Sequence, residues 1–220
     1  DWGGPLSLYQ AAHMPERCER LCILNTWLEN PEFEMNYMAR VWNAIWHPLD
    51  TTGGPRTKDP NLLRRVFVKI ARRVMIRFGL KGETQPCGAI AQLVMMADYP
   101  GATPELGPKL YEAYEAPYPD TRSKAGARRF PLSLPFWNPV DGDAEGQRRN
   151  FETLLGWKKP VQFIWGMKDP NFSPRWLETW SAHYPQASVD RIADGGHFLQ
   201  ETHGAQVVRI MLQRIAEETA

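Results

Sequence analysis

The sequence predicts an α/β fold, a parallel sheet flanked by helices with an all-helical block inserted into it. Three observations carry this. Leu21-Cys22-Ile23-Leu24 and Val161-Gln162-Phe163-Ile164-Trp165 are short apolar runs between polar flanks, the pattern of strands buried on both faces. Helical stretches alternate with these runs at both ends of the chain. From about Pro31 to Pro117 the apolar residues instead recur at helical spacing, and strand-like runs largely disappear.

Taken in order, Asp1-Trp2-Gly3-Gly4 reads as a sharp turn into a helix from Pro5 to His13, stopped by Pro15-Glu16-Arg17. At such a turn small residues let the backbone bend, and the small side chain is expected at Gly3, two places after Asp1. Leu21 to Leu24 follows as a strand. Asn25-Thr26 marks its carboxyl end, where sites cluster in open α/β sheets. In the helical block, Met35, Met38, Val41, Trp42, Ile45 and Trp46 keep a period near 3.6, and His47-Pro48 stops that helix. Asp50 to Pro60 is a loop, and Asn61 caps a helix running to Phe78. Two more helices are expected, through Ala89 to Ala97 and from Pro104 to Ala116. The sheet then resumes. Asp143 to Trp157 is helical, Val161 to Trp165 a strand, and Pro174 to His183 a helix with proline at its first position. Ser188 to Ile192 is a strand, Asp194-Gly195-Gly196-His197 a turn, and about Gln200 to Glu218 a final helix. Residues 1–27 and 118–220 thus form the sheet-bearing core, and 28–117 a helical lid.

With 220 residues, 43% of them hydrophobic, the chain can bury a sizeable core. A net charge of +1 gives no general pull toward nucleic acid. Arg64, Arg65, Lys69, Arg72, Arg73 and Arg77 share one helix, which reads as a solvated face of the lid; a membrane-surface or nucleic-acid helix is the less favoured meaning. No apolar run reaches the ~18 residues of a membrane span. Cys18, Cys22 and Cys87 fit neither a disulfide framework nor a zinc pattern, so reduced thiols in a cytoplasmic protein are expected, with no metal.

Three candidates for chemistry stand in one order. Asp1 lies at a strand-to-helix turn, Asp169 follows a buried strand in Gly166-Met167-Lys168-Asp169-Pro170, and His197 follows another after two glycines. All three sit at the carboxyl edge of a parallel sheet, so they can converge. Nucleophile, acid, histidine is the chain order of the α/β-hydrolases. A carboxylate in the nucleophile's place can attack carbon and form an ester.

The chain resembles the haloalkane dehalogenases. The matching stretches are Asp1-Trp2-Gly3-Gly4-Pro5, Leu24-Asn25-Thr26, Tyr114-Glu115-Ala116-Pro117-Tyr118-Pro119-Asp120 and Ser123-Lys124-Ala125-Gly126-Ala127-Arg128-Arg129-Phe130-Pro131. Gly166-Met167-Lys168-Asp169 and Gly195-Gly196-His197-Phe198-Leu199-Gln200-Glu201 complete them. The resemblance implies a partial α/β-hydrolase fold, the carboxyl-terminal part of the parallel sheet, with a helical cap. It implies Asp1 as nucleophile, His197 as base and Asp169 as its acid, the arrangement of the Asp-His-Asp branch. It further implies Trp2 as one halide donor and, through its backbone N–H, half of the oxyanion hole. The second halide donor is expected on the first lid helix, at Trp42, with Trp46 next. A small haloalkane and a halide ion are the expected partners; no cofactor is implied, and a monomer is expected. The family's H-G-x-P segment and early strands have no counterpart here. The chain is therefore expected to be the back portion of an enzyme, one that does not turn over by itself. The alternative is an epoxide hydrolase, which would need phenolic donors, for which Tyr37, Tyr99, Tyr111 and Tyr114 are available.

Overall fold

The computed structural model describes residues 1–30 and 142–219, together with isolated positions between 109 and 123. Trp42, Trp46 and the basic run from Arg64 to Lys81 lie outside the described residues. The chain divides into two compact units, Asp1–Glu34 with Asp143–Ala220 forming one and Met35–Gly142 the other. Every element below belongs to the first.

In chain order this unit comprises α1 (Gly3–His13), β1 (Leu21–Leu24), α2 (Ala144–Leu155), β2 (Val161–Gly166), α3 (Pro174–His183), β3 (Ser188–Ile192) and α4 (Leu199–Thr219). A single 3-10 turn, Pro15–Arg17, ends the α1 excursion where the proline was expected to stop it. The three described strands form one parallel sheet in the order β1-β2-β3, with Leu21 opposite Val161 and Gly166 opposite Ile192. Parallel strands need crossover connections, which is why helices separate them. The segment crossing from β1 to β2 contains the whole second unit.

β2 is central and buried along its full length. Alternate residues face opposite sides of a sheet. On one side Phe163 meets Trp180 of α3 and Tyr184, with ring centroids 6.3 and 6.0 Å apart. On the other, Ile164 joins Ile192, Leu199 and Val207 under α4. Among the described residues much of the aromatic content is therefore core. Trp165 and Trp180 are wholly buried, and their N–H groups donate to the carbonyls of Phe172 (2.7 Å) and Thr26 (3.2 Å). Gln162 is the polar member of β2. It is buried, and its amide donates to Asp190, whose carboxylate also takes a forked contact from Arg214 at 2.8 and 3.2 Å. A buried polar group is tolerated when it is satisfied in this way.

Two local departures from the sequence reading have physical causes. The first helix begins at Gly3, not Pro5, because the Gly4 N–H already bonds the Asp1 carbonyl at 2.9 Å. The last helix is interrupted at His203, whose φ of −129° and ψ of 20° are not helical. His203 Nδ1 lies 2.7 Å from Thr202 Oγ1, and its Nε2 3.3 Å from Asp194. Local side-chain bonds of this kind compete with helical geometry.

Candidate active site

Asp169 and His197 follow the carboxyl ends of β2 and β3 on separate turns, and Asp1 is held against the end of β1 through Thr26. Asp1 directly precedes α1. Its carbonyl receives the Gly4 N–H, and also the Thr26 hydroxyl at 2.5 Å, which ties the turn to the end of β1. The requirement for a small residue falls on Gly4, correcting the expectation at Gly3. A Cβ at Gly4 would collide with the Thr26 side chain, whereas one at Gly3 would meet nothing within 4 Å. Which of two adjacent glycines is needed depends on the neighbour across the turn, here Thr26.

Asp169 follows β2 by three residues and is almost fully buried. Its Oδ1 accepts the backbone N–H groups of Asn171 (2.7 Å) and Phe172 (3.0 Å). Its Oδ2 accepts His197 Nδ1 at 2.8 Å. Burial works against the charge of Asp169, but the hydrogen bond and charge of His197, with the two backbone donors, outweigh it and hold the carboxyl below its usual range. Because a carboxylate only accepts, Nδ1 of His197 carries the proton and Nε2 is left as a base. Nε2 lies 3.5 Å from Asp1 Oδ2.

His197 reaches this position because the turn before it packs directly on the end of β2. A Cβ at Gly166 would run into the backbone of Gly195 and Gly196. The Lys168 N–H donates to the Gly195 carbonyl at 2.8 Å, locking the Asp169 and His197 turns together. A Cβ at Gly195 would in turn meet the Leu199 and Ile192 side chains, so of the two glycines before His197 it is Gly195 that the close approach requires, together with Gly166.

Asn25 was read from sequence as the end of a strand and as part of a matching stretch, with no role in the site, and it does more. It holds a left-handed φ of 32°, which asparagine tolerates better than most residues. Its Oδ1 accepts the Gly166 N–H at 2.8 Å, while its Nδ2 donates to the Gly166 carbonyl (3.2 Å) and to Asp169 Oδ2 (2.8 Å). The signal available beforehand was a lone amide at the carboxyl end of a buried strand.

Trp2 opens α1 and packs edge-on against Trp27, with ring centroids 5.6 Å apart. Trp27 stacks on Phe172 at 5.5 Å, and Phe172 lies 5.5 Å from the His197 ring. An aromatic wall therefore runs from the nucleophile's neighbour to the histidine. Of the proposed halide donors, Trp2 follows Asp1 in the chain and packs on Trp27, and Trp42 lies outside the described residues. A groove of about 560 Å³ also touches Asp1 and His197. It runs the whole length of β1 down to Leu21 and Cys18, so it follows the edge of the sheet, and only its end at Asn25, Thr26 and His197 belongs to the site. Among the described residues no cluster of side chains suited to a metal ion is found, and no helix is long and apolar enough to cross a membrane.

Comparison with known proteins gives a consistent picture. No protein-family model matches the chain. It is 26% identical over 217 residues to a haloalkane dehalogenase from Psychrobacter cryohalolentis, covering 98% of this chain and 58% of the relative. It is 26% identical over 214 residues to another from Mycolicibacterium paratuberculosis, covering 96% and 57%. A cis-3-alkyl-4-alkyloxetan-2-one decarboxylase from Shewanella oneidensis is also 26% identical, over 209 residues, covering 94% and 55%. The chain therefore spans less than three fifths of the length of these curated relatives. Among solved structures, the haloalkane dehalogenase DbeA from Bradyrhizobium elkani USDA94 superposes with a TM-score of 0.68 at 19% identity, over 100% of this chain and 67% of that one. The haloalkane dehalogenase DpaA from Paraglaciecola agarilytica NO2 superposes with a TM-score of 0.65 at 23% identity, over 95% and 56%. The fold is thus part of an α/β-hydrolase fold. The DpaA structure is described as tetrameric, which gives the expected monomer no support.

Proposed function

We propose that this chain, a relative of the haloalkane dehalogenases, carries the catalytic triad of an enzyme that hydrolyses carbon–halogen bonds in small haloalkanes. The observation that supports it best is His197, which donates through Nδ1 to buried Asp169 at 2.8 Å and turns Nε2 to within 3.5 Å of the Asp1 carboxylate.

In this reading an Asp1 carboxylate oxygen attacks the halogen-bearing carbon. The carbon–halogen bond breaks, and the halide leaves with its electron pair as a stable anion needing no proton. An alkyl ester remains on Asp1. A water molecule then gives a proton to His197 Nε2 and attacks the ester carbonyl. Collapse frees the alcohol, restores the carboxylate, and the imidazolium sheds its proton to solvent. Asp169 fixes the tautomer and stabilises the imidazolium. Trp2 and Trp42 hold the halide in a dry site, and the Trp2 backbone N–H serves the oxyanion; N–H groups in a helix's first turn have no intrahelical acceptor. The same reading takes residues 28–117 as a helical cap and the protein as cytoplasmic with reduced thiols.

A second reading follows from the Shewanella relative, whose name describes decarboxylation of an oxetan-2-one. Opening such a ring also displaces an anion, a carboxylate, from saturated carbon. Epoxide opening is less favoured, since the relatives reported above are named for dehalogenation and for oxetan-2-one decarboxylation. Incubating the full-length protein with 1-bromobutane and with a 3,4-dialkyloxetan-2-one separates the readings. Bromide release that vanishes in Asp1→Ala supports dehalogenation, and carbon dioxide release without bromide favours the second reading.

A further inference from the structure

We infer that Trp27 supplies an indole N–H to the departing halide, from the core itself and beside Trp2; this rests on the dehalogenase reading above. Trp27 is 2% exposed, and its Nε1 is buried with no hydrogen-bond acceptor. The other core indoles show how this protein treats such groups, since Trp165 and Trp180 each donate to a backbone carbonyl. A buried donor without an acceptor is costly, so native structures retain few. Trp157 also has a buried Nε1 without an acceptor, but it precedes β2, at the amino edge of the sheet, and Lys159 Nζ sits 5.6 Å from its ring. Trp27 follows β1 at the carboxyl edge, where the Asp1–His197 pair lies.

The packing around Trp27 fixes its ring. One face stacks on Phe172, nearly parallel at 11°, and Trp2 stands at 84° to it. Phe172 is itself anchored, its N–H on Asp169 and its carbonyl on the Trp165 indole. A donor held on a rigid apolar ring suits a large, weakly hydrated monatomic anion. Such an ion is satisfied by a few N–H groups in a dry site, so Trp27 adds to the donors proposed above, and it needs no countercharge there. Chloride, bromide and iodide are the ligands of this class that the proposed reaction releases.

The test is a sodium bromide titration of the full-length protein with ¹⁵N-labelled indoles, followed by NMR, alongside Trp27→Phe. Bromide is expected to move the Trp2 and Trp27 N–H resonances with one common saturation curve. Trp165 and Trp180, already bonded, should stay in place. Trp27→Phe keeps an aromatic ring and removes the donor, so bromide affinity should fall roughly tenfold to a hundredfold. Should the Trp2 resonance move while that of Trp27 stays still in the unaltered protein, or should Trp27→Phe bind bromide normally, the inference is overturned and the dehalogenase reading stands. Should bromide fail to bind at all, both fall.

Discussion

Asn25 Nδ2 donates at 2.8 Å to the same Asp169 oxygen that receives His197 Nδ1, also at 2.8 Å. One carboxylate oxygen therefore serves two side-chain donors, while the other is held by two backbone N–H groups. The Asn25 amide also pairs with both backbone groups of Gly166, continuing the β1–β2 ladder by a side chain where the strands part.

Asn25 is on this account a positioning residue for the acid. Asn25→Leu should leave the first burst of halide intact, because ester formation needs only Asp1, and slow steady turnover at least about tenfold through the His–Asp pair. Asn25→Asp places two carboxylates together, so one must hold a proton, and the acid limb of the pH–rate profile should move upward. Rapid-quench halide release with pH profiles checks this; an Asn25→Leu burst that shrinks in step with turnover would contradict it.

On the proposed dehalogenase reading, His197→Phe should divide the reaction in two. The nucleophile remains and the base is gone, so the ester on Asp1 accumulates. Intact-mass analysis after exposure to a bromoalkane should show one added alkyl group, carried by the peptide that contains Asp1. Normal turnover by this variant, or bromide release without an adduct, would remove His197 from its assigned role.

The two glycines after Asp1 give opposite expectations. Gly3 is helical with nothing near its missing side chain, so Gly3→Ala should stabilise α1 by about 0.5–1 kcal/mol and raise the thermal midpoint. Gly4→Ala pushes into Thr26, whose hydroxyl holds the Asp1 carbonyl, and should cost about 1–3 kcal/mol with a loss of activity. Calorimetry on both variants reads this directly. Equal effects would mean that the close contact with Thr26 does not constrain the turn.

Much of the core was legible because it rests on local pattern. The apolar run at Val161 to Trp165 reads as a strand buried on both faces, and it is one. The Asp1, Asp169 and His197 positions followed from chain order plus the rule that sites gather at the carboxyl edge of a parallel sheet. What escaped depends on neighbours distant in sequence. Gly4 is critical only because Thr26 faces it, and Asn25 matters only because Gly166 and Asp169 arrive 141 and 144 residues later. The tryptophans differ in the same way. Both Trp27 and Trp165 are buried, and that Trp165 has an acceptor while Trp27 has none is visible only in the fold.

Acid should reveal Asp169 through stability. Burial opposes its charge, but His197 and the N–H groups of Phe172 and Asn171 prevail and hold its pKa below the ordinary value. In the unfolded chain an aspartate titrates at about 3.9. The folded group thus keeps its charge to lower pH than the unfolded one. Its contribution is fully present above the unfolded value and is lost as pH falls from about 4 through the folded pKa. Asp169→Asn removes this contribution, and it also leaves the backbone donors with a weaker, neutral acceptor. The variant should be less stable than the parent at about pH 6, and the gap should narrow on acidification toward about pH 3. Urea unfolding midpoints at several pH values measure the gap. A gap that stays constant across that range would mean that Asp169 gains nothing from its partners in the folded state, and would dissolve the electrostatic case for the His197–Asp169 pair.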